Sequence, residues 1–165
     1  MDRPDADGPA LRYVALGDSY TIGTSVAPAD RWPDRLVATF TEDRAANGPS
    51  LELVANLGVD GYTTADLIRD ELPPLVGLRP DVVSVLIGVN DVVQGVSPDV
   101  YARNVVRILD AMLATVPPER VVAIGIPDYT VTPAGADYGD PIQRRAAIVE
   151  RNGTMAALAA ERGIA

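Results

Sequence analysis

The sequence predicts an α/β fold, a parallel β-sheet with helices on both faces. Three observations predict it. Short apolar runs that look like strands buried on both faces recur along the chain. Helical patterns with start and stop signals lie between them. Strand and helix alternate about four times within 165 residues, the pattern of a parallel sheet built from crossover units. At 47% hydrophobic and 22% charged, a chain of this length can bury one good core and needs no second domain.

The elements follow in order. The opening "MDRPDADGPA" is polar, so residues 1–10 are expected to form a flexible segment and residues 11–165 the domain. The first strand is expected at Leu11 to Leu16 and the second at Leu51 to Leu57, with a helical stretch from Asp30 to Arg44 between them. Thr64 to Leu72 reads as a helix ended by Pro73 and Pro74, because the residue before a proline is pushed out of the helical region. Val82 to Ile87 is the third strand. In "SPDVYARNVVRILDAML", Ser97 is the expected N-cap and Pro98 the first helical residue, with Tyr101, Val105, Ile108, Leu109 and Met112 on one face. The fourth strand is expected at Val121 to Ile126. A last helix starts at Asp140 and Pro141 and stops at Gly163.

Composition excludes several functions. The 14 basic residues, all arginine, face 23 acids, giving a net charge of −9, which disfavours nucleic acid and anionic membranes as partners. A small molecule or another protein is the expected partner. With no cysteine and no histidine, there is no disulfide framework, no thiolate site and no basis for zinc, so no metal or cofactor is expected. The N-terminus lacks the apolar core of a signal peptide, and no run reaches membrane-spanning length. With Met1 as the true start, the expected location is the cytoplasm.

In a parallel sheet, ligands bind at the carboxyl ends of the strands. Here the four strand ends carry "GDSY", "NLGVDGYT", "GVND" and "PDYTVTPAGADYGD". Each has an ordinary reading as a turn, a helix cap or an Asx turn, and an isolated G-D-S is usually no more than that. Together they place a hydroxyl, a glycine N–H and a side-chain amide on one rim. That is the set acyl transfer requires: a serine attacks the carbonyl, and preorganised donors meet the oxyanion that forms.

"GDSY" (Gly17 to Tyr20), "NLGVDGYT" (Asn56 to Thr63) and "GVND" (Gly88 to Asp91) resemble, in the same order, the first three sequence blocks of the SGNH, or GDSL-type, hydrolase family. The resemblance implies a flavodoxin-like three-layer α/β/α fold and an ester hydrolase, esterase or lipase. Ser19 would be the nucleophile. The oxyanion hole would be built from the N–H groups of Ser19 and Gly61 and the side-chain amide of Asn90, while Asp18 and Asp91 would mainly hold the loops. Tyr20 stands where the family commonly has leucine.

The resemblance fails at the far end. The family's last block, D-x-x-H, brings the acid and the general base after a fifth strand, and the sequence stops at "ERGIA" where that strand would begin. Two explanations compete: a hydrolase truncated before its fifth strand, which we favour because Ser19, Gly61 and Asn90 are all retained, and a noncatalytic module binding acylated or carbohydrate ligands. Asp128, Asp137 and Asp140 are expected to be loop and cap residues, with a calcium site as the alternative. Candidates for the substrate pocket are Tyr20, Ile22, Val59, Tyr62, Val92, Val93 and Tyr129. Truncation would leave the fourth strand as an exposed sheet edge, inviting self-association.

Overall fold

The computed structural model of the chain describes residues 10–43 and 49–164. Residues 1–9 of the expected flexible segment, and Arg44 at the end of the expected second helical stretch, lie outside the described residues. The strands are β1 (Leu11–Gly17), β2 (Leu51–Asn56), β3 (Val82–Leu86) and β4 (Val121–Ala123). They form one all-parallel sheet in the order β2-β1-β3-β4. The helices are α1 (Ser19–Ile22), α2 (Trp32–Asp43), α3 (Thr64–Asp70), α4 (Leu72–Leu78), α5 (Val89–Val93), α6 (Pro98–Leu113) and α7 (Pro141–Ala160).

Alternation along the strands divides the core between the two faces of the sheet. Val14, Leu16, Val83 and Val85 pack with Ile108, Leu109 and Met112 of α6 on one face, where α3, α4 and α7 add Leu67, Leu75 and Met155. Tyr13 and Ala15 face the other way, towards Trp32 and Val37 of α2. The α/β expectation therefore holds, with helices on both faces.

Three elements differ from the expectation. Pro73 and Pro74 do not end a helix but begin α4, because a proline in the first turn gives up an N–H that has no helical partner there. The fourth strand spans only Val121–Ala123 rather than reaching Ile126. Its continuation is held differently: Ile126 donates its N–H to Asn152 Oδ1 at 2.7 Å and accepts from Asn152 Nδ2 at 3.0 Å, so a side chain of α7 takes the place of a strand neighbour. The short helices α1 and α5, which carry Ser19 and Asn90, have too few residues to show a periodic pattern in sequence.

Ser97 caps α6 through the Val100 N–H, and Asp140 caps α7 through the Ile142 N–H, as expected from the Ser-Pro and Asp-Pro pairs. Among the described residues no helix is long and apolar enough to cross a membrane.

Candidate active site

The site is built where β1, β2 and β3 end. Gly17 closes β1 with φ at +151°, and a Cβ there would come within 2.3 Å of the Leu86 carbonyl oxygen, so the tight turn below Ser19 admits only glycine. Asp18 then caps α1, its Oδ1 accepting the Tyr20 N–H at 3.0 Å. The cap places Ser19 at the first helical position. Among the described residues, neither the N–H nor the Oγ of Ser19 has a hydrogen-bond partner.

The loop after β2 lies against this turn. Asn56 donates to the Thr21 carbonyl at 2.7 Å and accepts the Gly58 N–H at 3.1 Å, and Val59 donates to the Gly17 carbonyl at 3.2 Å. Gly61 has φ at +79°, and no atom lies within 4 Å of where its Cβ would be. Its N–H has no partner among the described residues. Thr63 and Asp66 then start α3 with a reciprocal capping box.

Two bonds tie the end of β3 to this loop. Asn90 Nδ2 donates to the Tyr62 carbonyl at 2.9 Å, which fixes the amide and leaves its second N–H unspent. Asp91, fully buried, accepts the Thr64 N–H at 2.9 Å and the Thr64 hydroxyl at 2.5 Å. Burial pushes the Asp91 carboxyl up, and the two bonds from Thr64 work against that shift.

Ser19, Tyr20, Asn90 and Tyr129 line one hollow of about 230 Å³, together with Asp60 and Tyr138. Val89 and Val93 form its apolar floor. Tyr129 and Tyr138 meet edge to face at 5.7 Å. On its other side Ser19 borders a second hollow, of about 210 Å³, walled by Val26, Arg31 and Trp32.

Some expectations for the pocket need correction. Tyr62 points elsewhere: its hydroxyl donates to Asp70 at 2.9 Å and its ring packs on the main core. Val92 is buried in a cluster with Ile126, Tyr129 and Ile148, because the five-residue helix α5 turns Val89 and Val93 towards the hollow instead. Gly61, Ile22 and Val59 do not line it either, Gly61 lying beside it next to Asp60. Of the three loop acids, Asp128 caps the turn at Tyr129–Val131 and lies 3.3 Å from Arg145, Asp140 caps α7, and Asp137 sits in the turn at Gly135–Tyr138. Among the described residues no group of acids is arranged to hold a metal ion.

Sequence reasoning passed over Asp60, Val89, Tyr138 and Glu71. Tyr138 could have been found as a second tyrosine in the same post-strand loop as Tyr129. Glu71 gave no signal, lying ten residues beyond Gly61 in a helical stretch. It is buried, and its Oε2 accepts the Gly17 N–H at 2.8 Å. Burial pushes its carboxyl up to about 8, with the Gly17 bond opposing and the charges of Asp18 and Asp70 adding to the rise. Burial likewise pushes Asp18 up to about 7, against its bond from Tyr20 and with help from Asp91 and Asp60.

This parallel sheet, with a serine, a glycine loop and an asparagine at successive strand ends, defines a hydrolase-like α/β domain. The model of the GDSL-like Lipase/Acylhydrolase family matches residues 15–165, and the chain belongs to that family. Solved structures share the fold. AlinE4, an SGNH-hydrolase family esterase, superposes with a TM-score of 0.70 at 23% identity, covering 95% of this chain and 75% of AlinE4. A member of the lipolytic G-D-S-L family from Veillonella parvula gives 0.70 at 18% identity, covering 94% and 75%. The psychrotrophic esterase EstA from Pseudoalteromonas gives 0.64 at 15%, covering 92% and 73%. No curated protein matches the chain significantly.

Proposed function

We propose that the chain is the nucleophile-bearing part of a serine ester hydrolase that works through an acyl-serine intermediate. The observation that carries this reading is that Ser19, with its N–H and Oγ both unpaired among the described residues, shares one hollow with the oriented amide of Asn90. Ser19 Oγ attacks the ester carbonyl and gives its proton to a general base. The carbonyl oxygen becomes an oxyanion, met by the Ser19 N–H, the Gly61 N–H and the second N–H of Asn90. Collapse expels the alcohol, which takes the proton from the base. Water, deprotonated by the same base, then releases the acid and frees the serine.

None of the 165 residues is a histidine, so the base is not an imidazole of these residues. Asp18 and Asp91 serve by holding the turns. A hollow of about 230 Å³ lined by tyrosines suits a short acyl group on a small-molecule ester better than a long lipid chain. Because deacylation needs the base as much as acylation does, an acyl-serine formed slowly in this chain should persist. Incubation with an activated acetate ester, followed by peptide mass spectrometry, should show an acetyl group accumulating on Ser19 and none at that position in Ser19→Ala. Acetylation confined to other residues, at equal rates in both proteins, would refute the assignment.

A further inference from the structure

Two buried carboxyls flank the turn that presents Ser19, and each has one oxygen without a hydrogen-bond partner: Asp18 Oδ2 and Glu71 Oε1. A buried carboxylate is normally stabilised by two or three N–H donors or by a cation. Glu71 has one donor, the Gly17 N–H, and Asp18 has the Tyr20 N–H. Among the described residues no arginine forms an ion pair with either acid. The charges facing them are of the same sign: Asp91 from α5 and Asp60 from the β2–α3 loop act on Asp18, and Asp70 from α3 acts on Glu71. The cations of the group pair one acid further out: Arg69 with Asp70 at 2.6 Å, while Arg151 of α7 acts on Asp91.

Glu71 is firmly aimed. It sits at the junction of α3 and α4, its own N–H bonded to the Leu67 carbonyl at 2.9 Å, and Pro73 and Pro74 fix the backbone just beyond it. Gly17 N–H is the group it holds, two residues before Ser19.

We infer that Glu71 is a positioning residue for Ser19: as a neutral carboxylic acid it anchors the Gly17 N–H and the turn below the serine, and its ionisation beside Asp18 loosens that turn. The functional half of this inference rests on Ser19 being the nucleophile; the structural half does not. Ionisation strengthens the single bond from Gly17 but sets a second buried negative charge against that of Asp18, with no cation paired to either acid among the described residues. Burial and the raised carboxyls of both acids place the change in the neutral to mildly alkaline range.

The test is amide NMR of the full 165-residue chain and two variants. In the parent chain the Gly17 amide proton should titrate with a midpoint near pH 8, and hydrogen exchange at Gly17 and Ser19, corrected for intrinsic rates, should lose protection above that midpoint. Glu71→Gln keeps an acceptor for the Gly17 N–H and should abolish both the titration and the loss of protection. Glu71→Ala should lose protection at Gly17 about tenfold or more at every pH. A Gly17 titration unchanged in Glu71→Gln would overturn the inference, and so would a Ser19 amide whose protection is indifferent to pH in the parent; neither result depends on Glu71→Ala folding. A serine-directed fluorophosphonate separates the two readings. If it never labels Ser19, even in the chain extended by Asp-x-x-His, the nucleophile assignment falls while the NMR result stands. If it labels Ser19, the ratio of the Glu71→Gln rate to the parent rate should rise severalfold from pH 6 to pH 9, and a flat ratio would sink the positioning role.

Discussion

The side-chain amide of Asn90 donates to the main-chain carbonyl of Tyr62 at 2.9 Å, so the end of β3 and the loop after β2 hold each other in register. The bond spends one amide N–H and orients the other. Asn90→Ala should therefore lower any Ser19-dependent rate by roughly 10²–10³-fold, the cost of one oxyanion donor. It should shift the melting temperature by only a few degrees, since a single partly exposed hydrogen bond is worth about 1 kcal/mol. Parallel rate and melting measurements separate the two effects.

Asp91 is a different case, because its partners are buried. Asp91→Ala leaves the Thr64 N–H and hydroxyl without their acceptor, at about 1–3 kcal/mol for each orphaned group. The Thr64 oxygen still accepts from Asn104 Nδ2, but that bond does nothing for the O–H donor left without Asp91. Asp91→Asn keeps one acceptor oxygen and should cost less. Urea denaturation, with unchanged slope and a lower midpoint in the order parent, Asn, Ala, is the expected result.

The sheet was legible in sequence because its strands are predominantly apolar: the central strands β1 and β3 are buried over most of their length, and the edge strands β2 and β4, less buried, still carry short runs of leucine, valine and alanine. The ends were harder. Val121 to Ile126 is apolar throughout, yet only Val121–Ala123 pairs as strand, because Asn152, distant in sequence, takes over the backbone groups of Ile126. Ser19, Asn90 and the Gly61 loop could be picked out from motifs at strand ends. Which apolar neighbours face the hollow could not: Val92 and Val93 are adjacent in sequence, and only the rotation of α5 decides that Val93 lines it. Glu71 was invisible because its bond to Gly17 spans 54 positions.

Stability should fall as the pH rises through neutrality. The folded Asp18 and Glu71 carboxyls lie at about 7 and about 8, above their ordinary values of 3.8 and 4.5, so between those limits the folded chain binds more protons than the unfolded one. Their contribution is then fully present near pH 4 and is lost by pH 8, with a slope of at most ~1.4 kcal/mol per pH unit for each group. Asp66, Asp70 and Asp128, lowered by their hydrogen bonds, act in the opposite sense only below about pH 4, and weakly, being exposed or nearly so. Asp18→Asn, which keeps the cap, should flatten the decline from pH 5 to pH 8 in thermal melts. A melting temperature in the parent that rises over that range would count against the buried-acid account.

The edge of β4 makes a further expectation. β4 pairs with β3 on one side, and among the described residues no strand pairs with its other edge. Val122, on the same face as Ser84, is 41% exposed. An unpaired apolar edge is a template for a second copy. The chain should self-associate as its concentration rises, and Val122→Lys should shift it towards monomer. Sedimentation showing a monomer at every concentration would remove this expectation.

The most direct test of the central claim is a comparison of Ser19-dependent ester hydrolysis in the 165-residue chain and in the same chain extended by a segment carrying Asp-x-x-His. On a short activated ester, the 165 residues alone should show only the roughly 10³–10⁴-fold advantage over water left to an oxyanion hole and binding, changed little by Ser19→Ala. The extended chain should turn over rapidly and lose that turnover with Ser19→Ala. Turnover by the extended chain that survives Ser19→Ala would contradict the account.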